Sequence, residues 1–138
     1  MREKELRLAL VCYGGISLAV YMHGITKEIW HLARASRSFH ADEPAREGSE
    51  AVYRDLLQLI ADEHGTKLRV LVDILAGASA GGINAIFLAD AISHGHSLDP
   101  LTELWLDAAD VDNLLDPAVS RVSRFAKAAA VPIAWALS

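Results

Sequence analysis

Apolar residues follow two different patterns along the chain. Two short, mainly apolar runs, the second rich in branched side chains and both followed by glycines, are typical of buried parallel strands. Elsewhere, apolar residues recur every three to four positions, as they do on one face of a helix. The predicted strands are Leu6–Tyr13 and Leu68–Leu75. The predicted helices cover residues 18–34, a segment around 52–60, and residues 83–92 and 99–108.

The order of these elements predicts an α/β fold. A strand followed by two helices, repeated once, gives parallel strands joined by helical crossovers. Residues 35–48 contain several charged and small polar residues and are predicted to form a surface connection. Ser17 is the predicted N-cap of the first helix. The helix over residues 83–92 is apolar on nearly all sides, so it should lie inside a larger structure.

Composition and charge narrow the class of protein. With 52% hydrophobic and 22% charged residues, the sequence is typical of a folded globular chain. Its formal net charge of −5 argues against nucleic acid as a partner, because phosphate contacts need a basic patch. The same charge argues against purely electrostatic adhesion to anionic lipid. A single cysteine, Cys12, excludes an internal disulfide and a multi-cysteine metal site.

The N-terminal sequence does not match a signal peptide. Glu3 and Glu5 lie where such a peptide is basic, and Gly14 and Gly15 interrupt the apolar run that follows. No apolar run reaches the roughly 20 residues that a membrane-spanning helix needs. We therefore expect a cytoplasmic protein.

The pattern Gly77-x-Ser79-x-Gly81 lies between a predicted strand and a predicted helix. A sharp turn at this junction projects a serine hydroxyl at the edge of the sheet, with small residues on both sides so that strand and helix can pack. The helix N-terminus behind the serine offers N–H groups to a developing oxyanion. The simpler interpretation is a glycine-rich turn. A P-loop is excluded because Gly82-Ile83 stand where Lys-Ser/Thr is required.

No histidine is suitably placed to activate Ser79. His94 and His96 follow at the far end of the intervening helix. At about 1.5 Å per residue, they lie more than about 20 Å from the serine. The remaining chain is also too short for the Ser-Asp-His order of an α/β-hydrolase.

The glycine motifs together resemble those of patatin-like phospholipases. The first runs from Tyr13 to Ala19 (YGGISLA) and the second from Gly77 to Gly82 (GASAGG), and the longer stretch YGGISLAVYMHGITKE is similar to a bacterial branch of patatin-related proteins. The resemblance covers roughly residues 6–95. It implies a three-layer α/β fold with a mostly parallel sheet, of which residues 1–138 would be an incomplete N-terminal part.

The resemblance also implies a serine–aspartate dyad without histidine. Ser79 would be the nucleophile, and Gly14 and Gly15 would donate their N–H groups to the oxyanion. The first motif departs from the family pattern, with Tyr13 in place of a glycine and with Ser17 and Leu18 in place of an arginine and a glycine. The family's aspartate lies in a downstream Asp-Gly motif. No Asp-Gly pair occurs here, so we expect the aspartate outside this chain.

These observations predict a serine lipid acyl hydrolase without cofactor or metal. Its substrate would be a lipid or another acyl ester, met by a cytoplasmic protein that can attach peripherally to a membrane surface. Without the aspartate, residues 1–138 alone are expected to be inactive. The alternatives are a catalytically incomplete fragment or interaction module that keeps the turn at Ser79, and an ordinary α/β binding domain with a glycine-rich turn.

Overall fold

The computed structural model describes residues 1–15, 18–44 and 46–108. Within these ranges the chain forms two strands and four helices. In chain order they are β1 (Arg2–Cys12), α1 (Ala19–His40), α2 (Ser49–His64), β2 (Thr66–Gly77), α3 (Ala80–His94) and α4 (Asp99–Ala108). The order and type of these elements agree with the sequence prediction. Ser17, the predicted N-cap of α1, lies outside the described residues.

The two strands pair in parallel along their whole length, from Arg2 opposite Thr66 to Cys12 opposite Gly77. One irregularity interrupts the register, because Leu8 pairs with Val72 whereas the next residue of β1 pairs with Ile74. Asp73 is therefore an extra residue in β2, as in a β-bulge. The register brings the ends of β1 and β2 together at one edge of the sheet.

One face of the sheet carries the core. Leu10 and Leu75 pack with Trp30 of α1 and Leu88 of α3 in a first apolar cluster, which also contains Trp105 of α4. A second cluster joins α1, α2 and the beginning of β2, with the buried residues Phe39, Leu57, Ala61 and Val70. The mixed helix and parallel-strand class predicted from the sequence is confirmed.

The predicted surface connection over residues 35–48 is wrong at its start. Helix α1 continues to His40, and Ala35, Ser36, Ser38 and Phe39 are buried. The Ser36 hydroxyl accepts a hydrogen bond from the Val70 N–H at 2.8 Å, and His40 Nε2 donates to the Leu68 carbonyl at 3.2 Å. These polar side chains thus satisfy backbone groups of β2, which would otherwise be an open strand edge. Ser36 and His40 are polar because they form these hydrogen bonds inside the protein, although the sequence pattern indicated an exposed segment.

Two apolar surfaces of the described residues remain open. On α3, Leu88 and Ala91 face the core, whereas Ile83 and Ile86 are 44% and 70% exposed. The prediction that this helix is buried is therefore confirmed for one side of the helix only. On the sheet face opposite the core, Ile74 is 59% exposed. Within the described part of the chain, no helix is long and apolar enough to cross a membrane.

Candidate active site

Ser79 occupies the sharp turn between β2 and α3. Its backbone has φ +52° and ψ −131°, a left-handed conformation that residues with a side chain rarely adopt. Holding a residue there costs on the order of 1–3 kcal/mol, which the surrounding structure must supply. Ser79 is exposed, and its hydroxyl makes no capping hydrogen bond to α3. The side chain is therefore free to meet a ligand at the carboxyl edge of the strands.

The glycines flanking Ser79 are required by close backbone contacts. A Cβ on Gly77 would lie 2.7 Å from the carbonyl carbon and oxygen of Gly81. A Cβ on Gly81 would overlap the carbonyl oxygens of Cys12 and Tyr13. Gly77 thus allows the turn to close, and Gly81 allows α3 to approach the end of β1. This contact explains why the second glycine lies two residues after the serine.

The segment after β1 lies directly against Ser79. A Cβ on Gly14 would be 2.7 Å from Ser79 Cβ and 2.6 Å from the carbonyl oxygen of Ala78. The Ala78 N–H donates to the carbonyl of Cys12 at 3.1 Å, which fixes the beginning of the segment to the turn. Gly15 has φ +134°, a conformation open to glycine but strained for other residues. The structure thus brings Gly14 to the serine predicted from the second motif.

Backbone N–H groups at the start of α3 lie next to Ser79 in the chain. The first backbone hydrogen bonds of α3 run from Gly82 N–H to Ala78 and from Ile83 N–H to Ser79, both at 3.1 Å. The N–H groups of Ala80 and Gly81 precede these bonds, as the unpaired donors of a helix N-terminus do. They carry the positive end of the dipole of this 15-residue helix. Such donors can stabilise negative charge that develops on an oxygen near Ser79.

An apolar groove of about 370 Å³ adjoins this site. Its walls are residues 10–13 at the end of β1 and one side of α1, including Tyr21, Met22 and Ile25. Among the residues that the structure describes, no charged side chain lines it. Two of its lining residues, Cys12 and Tyr13, also have backbone carbonyl oxygens close to Gly81 of the serine turn, so the groove begins near the turn although Ser79 itself does not line it. The sequence analysis interpreted Met22 and Ile25 only as the apolar side of a helix.

The four histidines that form hydrogen bonds in the described residues, His40 and the three below, do so with partners other than Ser79. His94 and His96 both contact the Asp90 carboxylate, at 2.9 and 2.6 Å, near the end of α3 remote from the serine. Their hydrogen bonds, with His96 the stronger influence, lower the pKa of Asp90. His23 is buried and lies 2.8 Å from the Thr102 hydroxyl. Among the described residues, no side chain forms a hydrogen bond with the Ser79 hydroxyl.

Cys12 lies close to the site but is a poor nucleophile. Partial burial of its thiol raises the pKa above its usual value, so the reactive thiolate is disfavoured.

Asn84 of α3 was missed by the sequence analysis. It is 1% exposed and donates a hydrogen bond to the carbonyl of Ala19, where α1 begins. Its signal in the sequence was a single amide between Ile83 and Ala85, in the part of the helix before Asp90 that is otherwise apolar.

Comparison with known proteins agrees with this geometry. The family model described as patatin-like phospholipase matches residues 10–134, which is most of the chain. The chain belongs to the patatin-like phospholipase family. The match includes both the glycine segment after β1 and the turn at Ser79, so the family resemblance seen in the two motifs is confirmed.

A relative occurs in Mycobacterium tuberculosis (strain ATCC 25618 / H37Rv). It is named as an uncharacterized membrane protein, Rv3479, and is 39% identical over 127 residues. The alignment covers 83% of this chain but only 11% of that protein. The patatin-like domain described here thus spans about a tenth of the relative's length. No solved structure matches the chain.

Proposed function

We propose that the patatin-like domain hydrolyses acyl esters of lipids, with Ser79 as the nucleophile. The proposal is carried by the strained, exposed serine at φ +52°, whose Cβ lies against Gly14. Membership of a phospholipase family supports a lipid hydrolase in general. The residue roles below are our proposal for this chain.

The reaction has two halves. In the first, Ser79 Oγ attacks the ester carbonyl carbon while an aspartate takes its proton, and the carbonyl oxygen becomes an oxyanion. The N–H groups of Gly14, Gly15 and Ala80 would hold that oxyanion. When this tetrahedral intermediate collapses, the bond between the carbonyl carbon and the alcohol oxygen breaks. The alcohol takes the proton from the aspartate and leaves. In the second half, water attacks the acyl-serine through the same steps and releases the fatty acid.

The aspartate of this dyad is proposed to lie outside the 138 residues. No Asp-Gly pair is present in the sequence, and within the described ranges no carboxylate bonds to the Ser79 hydroxyl. A serine without its base has a nearly ordinary hydroxyl and reacts slowly. The isolated chain is therefore expected to be inactive, whereas the full-length protein should hydrolyse esters.

The apolar groove at the end of β1, near the turn that carries Ser79, supports a substrate with an acyl chain. A groove without charged side chains favours a hydrocarbon chain, at roughly 25 cal/mol for each Å² removed from water. Tyr13 and Tyr21 are 77% and 68% exposed near this groove. Amphipathic tyrosines favour the boundary between water and lipid. We propose that the domain works as a peripheral protein on the cytoplasmic side of a membrane.

The experiment compares Ser79→Ala with Ser93→Ala in the full-length protein. Both serines are exposed, but Ser93 lies at the far end of α3, where its hydroxyl bonds to Ala89 at 2.7 Å. Release of fatty acid from phosphatidylcholine vesicles and from a p-nitrophenyl ester should disappear in Ser79→Ala and persist in Ser93→Ala. Equal activity of the two variants would contradict the proposal.

A catalytically incomplete interaction module is the second candidate. It is favoured by the lack of a described partner for the Ser79 hydroxyl. In that case the full-length protein would release no fatty acid, and a serine-directed phosphonate would label it no better than residues 1–138 alone. Strong labelling of the full-length protein only would instead favour the enzyme.

A further inference from the structure

A single buried amide links the three helices around the candidate site. Asn84 lies in the second turn of α3, and its Nδ2 donates to the carbonyls of Ala19 and Ala80, both at 3.2 Å. Its Oδ1 accepts a hydrogen bond from Trp105 Nε1 of α4 at 3.0 Å. Both N–H groups and the oxygen of the amide are therefore used. A fully satisfied buried polar group of this kind fixes the orientation of its neighbours.

Two of these partners adjoin the proposed catalytic groups. Ala19 is the first residue of α1 and fully buried, and it ends the glycine segment that begins after Cys12. Ala80 follows Ser79 directly. The described residues on either side of the glycine segment, Cys12 and Ala19, are thus bonded to the serine turn and to α3, respectively. The bond from Ala78 N–H to Cys12 fixes the beginning of the segment, and the bond from Asn84 to Ala19 fixes its end.

The position otherwise suits an apolar residue. Ile83 and Ala85 flank it, and Leu88 of the same helix is fully buried in the core. An apolar side chain could be buried there without a hydrogen-bond requirement, whereas a buried amide is costly unless each bond is made. The amide therefore fills space in the core and, through its hydrogen bonds, also fixes the orientation of α1 relative to α3. The glycine segment that precedes α1 is oriented with it.

We propose that Asn84 is a positioning residue for the oxyanion donors. Through Ala19 it holds Gly14 and Gly15 at a fixed distance from Ser79. This inference rests on the proposed function. Oxyanion donors act at about 2.7–3.1 Å from the oxygen, and a displacement of about 1 Å can cost on the order of 10²-fold in rate. Loss of the bond to Ala19 should therefore lower turnover without blocking access to the groove.

If Asn84 only stabilised the domain, any loss of its hydrogen bonds should have the same effect on turnover. Two variants distinguish this role from positioning. Asn84→Asp keeps an acceptor for Trp105, but a carboxylate has no donor for Ala19 or Ala80. Trp105→Phe removes only the indole donor and leaves the bond from Asn84 to Ala19 in place. Both changes leave a buried polar group without its partner, so both destabilise the domain. Only the first releases the glycine segment.

The test measures kcat and KM for a p-nitrophenyl ester and backbone hydrogen exchange of peptides covering residues 13–22, in the full-length protein. In Asn84→Asp we expect kcat to fall about 10- to 10²-fold, KM to change much less, and exchange in this segment to accelerate. In Trp105→Phe we expect kcat and exchange in this segment to stay close to the parent protein. Asn84→Ser, whose short hydroxyl bonds only within α3, replaces Asn84→Asp if that variant does not fold.

Equal losses of kcat in Asn84→Asp and Trp105→Phe would overturn the proposal, because the effect would then follow stability alone. Unchanged exchange over residues 13–22 in the Asn84 variants would overturn it as well. If the parent protein shows no Ser79-dependent hydrolysis, the proposed function fails. The exchange comparison still decides whether Asn84 holds the glycine segment.

Discussion

Replacing Gly81 by alanine is predicted to separate α3 from the end of β1. The new Cβ would overlap the Cys12 carbonyl oxygen and lie 2.5 Å from that of Tyr13, whereas ordinary contacts begin near 3.4 Å. Backbone atoms on both sides must therefore move by roughly 1 Å, since neither neighbour is a flexible side chain. Overpacking of this kind typically costs about 1–3 kcal/mol.

The higher helix propensity of alanine offsets part of this overpacking cost. Alanine in a helix interior is favoured over glycine by about 0.8–1 kcal/mol. Because Gly81 lies in the first turn of α3, this gain is at most partial, and we expect a net loss of about 1–2 kcal/mol. Gly24, in the middle of α1, has open space where a Cβ would lie, with no atom within 4 Å. Gly24→Ala should therefore stabilise the domain by about 0.5–1 kcal/mol.

The assay is hydrogen exchange of α1 and α3 peptides in the full-length protein at increasing urea, which gives the free energy of local opening. Replacement by alanine should lower the free energy of local opening at Gly81 and raise it at Gly24. Ser79-dependent hydrolysis should also fall in Gly81→Ala and remain in Gly24→Ala. A Gly81→Ala protein as stable as the parent would refute the close contact between α3 and β1.

Two other predictions concern the groove and a buried histidine. Ile25→Trp, which adds volume at the groove, should lower hydrolysis of long-chain p-nitrophenyl esters more than that of the acetyl ester. Val20→Trp, on the same helix but not lining the groove, should leave this ratio unchanged, and a ratio equal in both variants would exclude the groove as the acyl site. Burial, and then the charge of Lys27, lowers the pKa of His23 below its usual value. The folded state therefore disfavours protonation, so the free energy of unfolding should decrease as the pH falls from the unfolded pKa of about 6.5 through the lower folded pKa. This part of the pH dependence should disappear in His23→Gln, as measured by urea denaturation between pH 7.5 and 5.

The sequence predicted the order of the elements because apolar spacing reports local structure. The strand before Ser79 could be predicted from the branched apolar residues of β2. The tight turn before the helix could be predicted from the glycines on both sides of the serine. The position of Gly14 against Ser79 could be expected only from the resemblance, since it depends on the parallel pairing of β1 and β2. Pairing between residues more than 60 positions apart leaves no local pattern.

The misjudged surface connection and the missed Asn84 have a common physical cause. Ser36 and His40 are polar, so the pattern indicated a surface, but they are directed at backbone groups of β2. Asn84 likewise interrupts an apolar helix because it bonds to Ala19 of another helix. In each case a buried polar side chain satisfies a partner that is distant in the sequence. Composition within a short window cannot identify such a partner.

The most direct test of the account is the site of covalent labelling in the full-length protein. After reaction with a fluorophosphonate, peptide mass spectrometry should find the adduct on Ser79, and fatty-acid release should stop in proportion to the labelled fraction. The account predicts no adduct and no hydrolysis in Ser79→Ala. An adduct on another residue, together with hydrolysis that persists in Ser79→Ala, would contradict the central claim that Ser79 is the nucleophile.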